Sequence, residues 1–243
     1  IRDRMSYLSA QGVTEVAADS SGNAGASIAM YAAAAGIRAR VFTPASAPLG
    51  KKRAIAAGAE LVEITGTRAD VTTACMGVVE AGAAYATHAW NPFFIVGQQT
   101  LAWEIWEQLG GAPSAVVMPV GQGLLLLGVA RGFRALYAAG LIDRLPRLYA
   151  VQSAACDPVV RGMEAGTDEP IPVAPGTTSA DGVVIGSPVR GGQVLAAIRE
   201  SDGEAFRCSE AEIIEARIKK LGLRIRPETH FELVNVNQDE RHL

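Results

Sequence analysis

Lysine, histidine, cysteine and long apolar runs are all scarce in this chain, and each scarcity narrows what it can do. No apolar stretch approaches the roughly 18 residues that a membrane-spanning helix requires; the longest, around Leu124 to Ala130, is too short. The chain opens Ile1-Arg2-Asp3-Arg4, without the apolar core of a signal peptide. Cys75, Cys156 and Cys208 are far apart and odd in number, which offers neither a disulfide framework nor a zinc spacing, so a reducing cytoplasm is expected. His88, His230 and His242 are isolated, so no metal is expected. A net charge of −3 leaves no basic footprint for nucleic acid or anionic membrane.

What remains is a globular α/β composition: 243 residues, 49% hydrophobic and 19% charged, with 26 glycines. Strand-like and helix-like segments alternate throughout. Glu15–Asp19 reads as a strand, Asn23–Ala35 as an Ala-rich helix stopped by Gly36, and Arg38–Thr43 as a strand. A helix over Gly50–Ala57, a strand over Glu60–Ile64, a helix over Arg68–Gly82 and a strand over Ala83–Thr87 follow. After a loop at His88–Phe94 come helix Gly97–Leu109, strand Ala115–Pro119 and helix Gly123–Ala139, the last apolar nearly all round and so expected to be deeply buried. Strand Arg147–Gln152, long loops over Gly166–Pro188, helix Gly192–Glu200, strand Ala205–Ser209 and helix Glu210–Leu221 complete the reading. Repeated β–α–β units predict parallel sheets with helices on both faces. Two lobes are expected, residues 1–92 and 93–243.

Two junctions carry chemistry. At Ser20-Ser21-Gly22-Asn23-Ala24-Gly25 a strand ends in hydroxyls, a glycine and an amide, and a helix starts at once. Helix N-termini expose unpaired N–H groups that favour an anion, and Gly22 permits close backbone approach. The same residues also suit a simple helix cap. At Pro119-Val120-Gly121-Gln122-Gly123 a strand runs through a glycine-rich turn into a long helix, the geometry of a phosphate cradle. Leu126 stands at the third glycine position of a dinucleotide fingerprint, which argues against that site.

Both segments, with Gln98–Ile105, Gly140–Arg147 and Ala180–Pro188, resemble fold-type II pyridoxal-phosphate enzymes, and threonine synthases in particular. The resemblance spans roughly residues 12–225. It implies a two-lobed α/β fold and pyridoxal 5'-phosphate as cofactor. Asn23 would face the cofactor's ring hydroxyl, and Ser20, Ser21, Gly22 and Ala24 would form the substrate-carboxylate loop. Gly121, Gln122, Gly123, Leu124 and Leu125 would form the phosphate loop. It further implies a β/γ-elimination–replacement on a small amino acid, converting O-phosphohomoserine to threonine in threonine biosynthesis, in a cytoplasmic homodimer. Serine/threonine dehydratase or cysteine-synthase chemistry is the alternative within the fold, and a non-catalytic remnant the alternative outside catalysis.

The sequence departs from the family pattern in three places. Leu124 and Leu125 replace a glycine and a small polar residue, so a leucine in a glycine-only backbone conformation is expected, with phosphate held by N–H groups alone. The Schiff-base lysine has no counterpart. The only lysines are Lys51, Lys52, Lys219 and Lys220, and Arg2, in an Ile1–Arg4 segment that mimics the lysine motif, cannot form an imine. The expectation is a fragment beginning just after that lysine, inactive as it stands. Arg226-Pro227-Glu228-Thr229 and the polar tail also lack the expected partner for the pyridine nitrogen.

Overall fold

A computed structural model describes residues 1–20 and 22–221. The chain divides into two compact units, one over Ile1–Gly97 and the other from Gln98 onward.

The first unit runs α1 (Arg2–Ala10), β1 (Glu15–Asp19), α2 (Asn23–Ala34), β2 (Arg38–Pro44), α3 (Leu49–Ala56), β3 (Glu60–Ile64), α4 (Arg68–Glu80), β4 (Ala84–Tyr85) and α5 (Pro92–Gln98). Its four strands pair in parallel in the order β3-β2-β1-β4. Because side chains alternate along a strand, β1 feeds two separate cores. Val16 and Ala18 pack with Met5, Leu8, Ile28 and Ala32 of α1 and α2, while Ala17 packs with Phe42, Val71 and Cys75 on the α4 side. A strand apolar on both faces must be covered on both. The helices come close: a Cβ on Gly58 would lie 2.8 Å from the Ala29 carbonyl oxygen in α2. Thr67 caps α4 reciprocally with Asp70, each accepting the other's backbone N–H.

The second unit runs α6 (Thr100–Leu109), β5 (Ala115–Pro119), α7 (Leu124–Ala138), β6 (Arg147–Ser153), α8 (Pro158–Ala165), α9 (Gly191–Glu200), β7 (Ala205–Cys208) and α10 (Glu210–Leu221). Its strands form a parallel sheet in the order β5-β6-β7. Where one helix was expected over Gly97–Leu109, α5 and α6 meet at Gln99, and α5 occupies part of the expected loop. Helix α8 lies in a stretch to which the sequence pattern assigned no element. The expectation for α7 needs correction. Leu124, Leu126, Leu127, Val129 and Phe133 are buried, but Arg131, Arg134 and Tyr137 are exposed, so the helix sinks at its start and surfaces along its second half. Two arginines three residues apart give that half a solvent face. Asp157, 3% exposed, takes Arg161 on one carboxyl oxygen and Arg207 on the other, fastening α8 to β7.

One polar cluster sits in the first unit's interior. The buried Asp19 carboxylate, last residue of β1, accepts from the Tyr85 hydroxyl at 2.7 Å and the Thr72 hydroxyl at 2.8 Å. It ties β1, α4 and β4 together immediately before Ser20. Burial, then the hydrogen bond to Asp19, pushes the Tyr85 phenol well above its ordinary value. A group whose pKa is raised by folding contributes stability that is intact below its unfolded pKa, about 10 for tyrosine, and is lost as the pH rises above it. Thermal melts between pH 8 and 11 should therefore fall more steeply for the wild-type chain than for Tyr85→Phe. Asp19→Ala, which removes the shared acceptor of two part-buried hydroxyls, should cost about 1 kcal/mol at neutral pH, read by denaturant unfolding.

Candidate functional site

The first candidate segment follows β1. Gly22 is the N-cap of α2, in extended backbone, with open space where a Cβ would stand. Ser20 turns its Oγ back to accept the Gly25 N–H at 3.1 Å and, more distantly, the Gly22 N–H at 3.5 Å. Its hydroxyl proton remains available to a ligand, while its oxygen fixes the turn. Helix geometry leaves the N–H groups of Asn23, Ala24 and Gly25 without intrahelical partners. Ser20 satisfies the third, and among the described residues the first two have none. Asn23 is exposed at the first helical position, and its amide has no hydrogen-bond partner among the described residues. Gly25 is obligatory for packing: a Cβ there would lie 2.3 Å from the Ser20 carbonyl oxygen. Ser21 lies outside the described residues. The turn thus presents a hydroxyl, two backbone N–H groups and a side-chain amide at a positive helix end.

The second segment follows β5. Val120 is 1% exposed and donates its N–H to Val151 in β6, which roots the turn in the sheet. Gly121 passes close to the 182–185 segment: a Cβ on it would meet the Val183 Cα at 3.1 Å and the Ile185 Cγ1 at 3.2 Å. Gln122 accepts the Val189 N–H at 3.1 Å, so its side chain holds the neighbouring loop. Gly123 is the N-cap of α7 in left-handed backbone, φ +77°. It is doubly restricted, because a Cβ would also fall 2.2 Å from the Val194 Cγ2.

Leu124 and Leu125 are the first two residues of α7. Leu124 packs its side chain into the core at 4% exposure, and Leu125 is 37% exposed. The expected leucine in a glycine-only conformation does not occur. Among the described residues the only non-glycine with positive φ is Asp202, because Gly123 absorbs the left-handed turn and Leu124 starts in ordinary helical backbone. The N–H groups of Leu124, Leu125 and Leu126 have no partner among the described residues, since the first intrahelical bond runs from Leu127 to Gly123. Three aligned N–H groups and an uncapped helix dipole are a suitable donor set for a phosphate. That set is supplied by backbone alone, so the leucine side chains do not disqualify it.

Two polar groups beside these turns are not among the expected site residues, although each leaves a signal in the sequence. Asp19 follows the apolar run Val16–Ala18 at the end of β1, and Gln152 interrupts the apolar alternation near the end of β6. Polar residues at the carboxyl ends of buried parallel strands mark the edge where ligands bind. The imine-forming lysine has no candidate among the described lysines of the first unit's α3. Lys52 is engaged by the Ala45 carbonyl and the Glu63 carboxylate, each at 2.6 Å. The departure at residues 226–229 and His230 lie outside the described residues.

Known proteins resemble this chain along most of its length. The chain is 33% identical over 209 residues to the threonine synthase of Methanosarcina acetivorans, covering 85% of this chain and 52% of that protein. It is 35% identical over 207 residues to that of Synechocystis sp., covering 84% and 52%, and 34% identical over 214 residues to that of Mycobacterium tuberculosis, covering 85% and 56%. It therefore spans about half the length of these curated relatives. Among solved structures, a threonine deaminase from T.th. matches at a TM-score of 0.71 and 30% identity, over 89% of this chain and 69% of that one. Maize serine racemase matches in fold at a TM-score of 0.75 and 22% identity, over 93% and 68%. The model of the family described as "Pyridoxal-phosphate dependent enzyme" matches residues 3–236, nearly the whole sequence, and the chain belongs to that family.

Proposed function

We propose that the whole protein is a pyridoxal-phosphate-dependent threonine synthase, converting O-phosphohomoserine and water to threonine and phosphate. The observation that carries this reading is the pair of helix starts whose N-cap residues, Gly22 and Gly123, bring no capping side chain, in a chain whose relatives at 33–35% identity are threonine synthases. The cofactor, when bound, supplies the electron sink that eases loss and replacement of groups on the amino acid's side chain.

The chain's own residues have binding and orienting tasks in this scheme. The N–H groups that open α7, with the turn at residues 121–123, would hold the cofactor phosphate. Asn23 would donate its amide to the ring hydroxyl. The Ser20 hydroxyl and the Asn23 and Ala24 N–H groups, joined by Ser21, would grip the substrate carboxylate. Asp19 stays out of that grip, because its oxygens take the Thr72 and Tyr85 protons below the turn. The lysine that shuttles protons in such enzymes is assigned to polypeptide outside these residues, which makes this segment inactive alone. The setting is a cytoplasmic homodimer serving threonine biosynthesis. A second reading, deamination of serine or threonine, is favoured by the 30% identity to a threonine deaminase.

A substrate screen of the whole protein with added pyridoxal phosphate separates the readings. Threonine and inorganic phosphate should form from O-phosphohomoserine, with a visible cofactor band that borohydride traps; ammonia and a 2-oxo acid from serine or threonine would favour the second reading. Absence of any cofactor band would leave the remnant alternative. Gly123→Ala, forced to place a Cβ in left-handed backbone at a cost of about 1–2 kcal/mol, should weaken cofactor affinity about tenfold, measured by absorbance titration.

A further inference from the structure

Gln152 is 1% exposed, and both ends of its amide are engaged, by Val120 on one side and the start of α8 on the other. Its Oε1 accepts the N–H groups of Val159 at 2.9 Å and Val160 at 3.2 Å, the second and third residues of α8. Its Nε2 donates to the Val120 carbonyl at 3.0 Å. Chemistry fixes this orientation of the amide, since two helix N–H groups need an oxygen and a carbonyl needs a donor. Pro158, first residue of α8, has no N–H to offer, so Gln152 satisfies both of the first-turn donors that remain.

The bond to Val120 has a consequence beyond capping. The Val120 carbonyl and the Gly121 N–H belong to one trans peptide unit, in which they point in opposite directions. Holding the carbonyl toward Gln152 therefore aims the Gly121 N–H away from the Gln152 amide. That N–H has no partner among the described residues. Glycine on one side of the plane would otherwise let it rotate freely. Val120 donates its own N–H to Val151, so the peptide is held from both sides of the root.

Resting on the phosphate-loop reading above, we infer that Gln152 is a positioning residue, whose side-chain amide orients the Gly121 N–H as a fourth donor to the anion bound at the start of α7. It touches neither cofactor nor substrate; it acts through one peptide plane. Glutamate at this position would keep the acceptor for α8 and lose the donor to Val120. Methionine would lose both.

Amide NMR of the 243-residue chain titrated with inorganic sulfate, whose charge is constant with pH, tests this. In the wild-type chain the Gly121, Leu124 and Leu125 resonances should move together, and the Gln152 side-chain N–H should shift with them, because anion binding polarises the shared peptide. In Gln152→Glu at pH 8 the Gly121 resonance should stop responding while Leu124 and Leu125 still move. Affinity should drop about tenfold, the effect of one hydrogen bond to a charged group. The ratio to wild type should recover as the pH falls and the new carboxyl gains a proton to donate; a purely structural role in capping α8 gives no such recovery. Equal sulfate affinity in Gln152→Glu, with Gly121 responding as in wild type, overturns the inference. So does a wild-type Gln152 resonance that stays still while Gly121 moves, a result that needs no variant to fold. If no wild-type loop resonance responds to sulfate or to pyridoxal phosphate, the phosphate-loop reading itself fails, and this inference falls with it.

Discussion

Parallel strand pairing is the constraint on which the rest of this molecule depends. Every described strand pair in both sheets is parallel. A parallel neighbour cannot be reached by a hairpin, so the chain must cross back between strands, here through helices. Each such helix begins at the carboxyl edge of the sheet, where its first N–H groups have no intrahelical partners. Two of these beginnings, α2 after β1 and α7 after β5, lack a side-chain cap from the N-cap residue because that residue is glycine. The backbone alone therefore builds two anion-favouring turns, and the local sequence only has to leave them open.

Keeping a turn open is costly unless the surrounding structure holds it. Each turn adjoins a buried polar side chain that is hydrogen-bonded to neighbouring elements. Below the first turn, Asp19 takes two hydroxyl protons. Beside the second, Gln152 joins Val120 to the start of α8. A buried polar group left unpaired is destabilising by about 1–3 kcal/mol, whereas a fully paired one fixes the position of everything it touches. The Gly121 turn is further backed by the 182–185 segment, against which there is almost no room for a side chain. Leucines are tolerated at Leu124 and Leu125 for the same reason: the left-handed conformation falls on Gly123, and what the helix start offers a ligand is main chain.

The element pattern was largely legible in the sequence because short apolar runs with glycine stops have few alternatives in an alternating β/α chain. Boundaries such as Asn23 for α2 and Glu210–Leu221 for α10 follow from local residues alone. Helix α8 was not legible, since Pro158–Ala165 is eight residues long and its ends are set by the Gln152 cap and by Gly166 in left-handed backbone. Nor was the break at Gln99, between two helices that share an apolar pattern. For α7, counting apolar residues suggested burial all round. The two exposed arginines show that burial is decided by which face meets the sheet and α6.

The sequence by itself determined the family, the parallel α/β class and the two glycine-bearing turns, because those are written in contiguous residues whose backbone preferences are local. It also showed which side chains the turns lack. Tertiary structure alone decided that Ser20 closes its own turn through Gly25, that Gln122 holds the Val189 loop, and that Gly123 takes the strain expected of Leu124. It alone joined Asp19 to Tyr85, 66 residues away, and Gln152 to Val120, 32 residues away. Hydrogen bonds at such separations depend on how strands and helices stack, and no local preference encodes them.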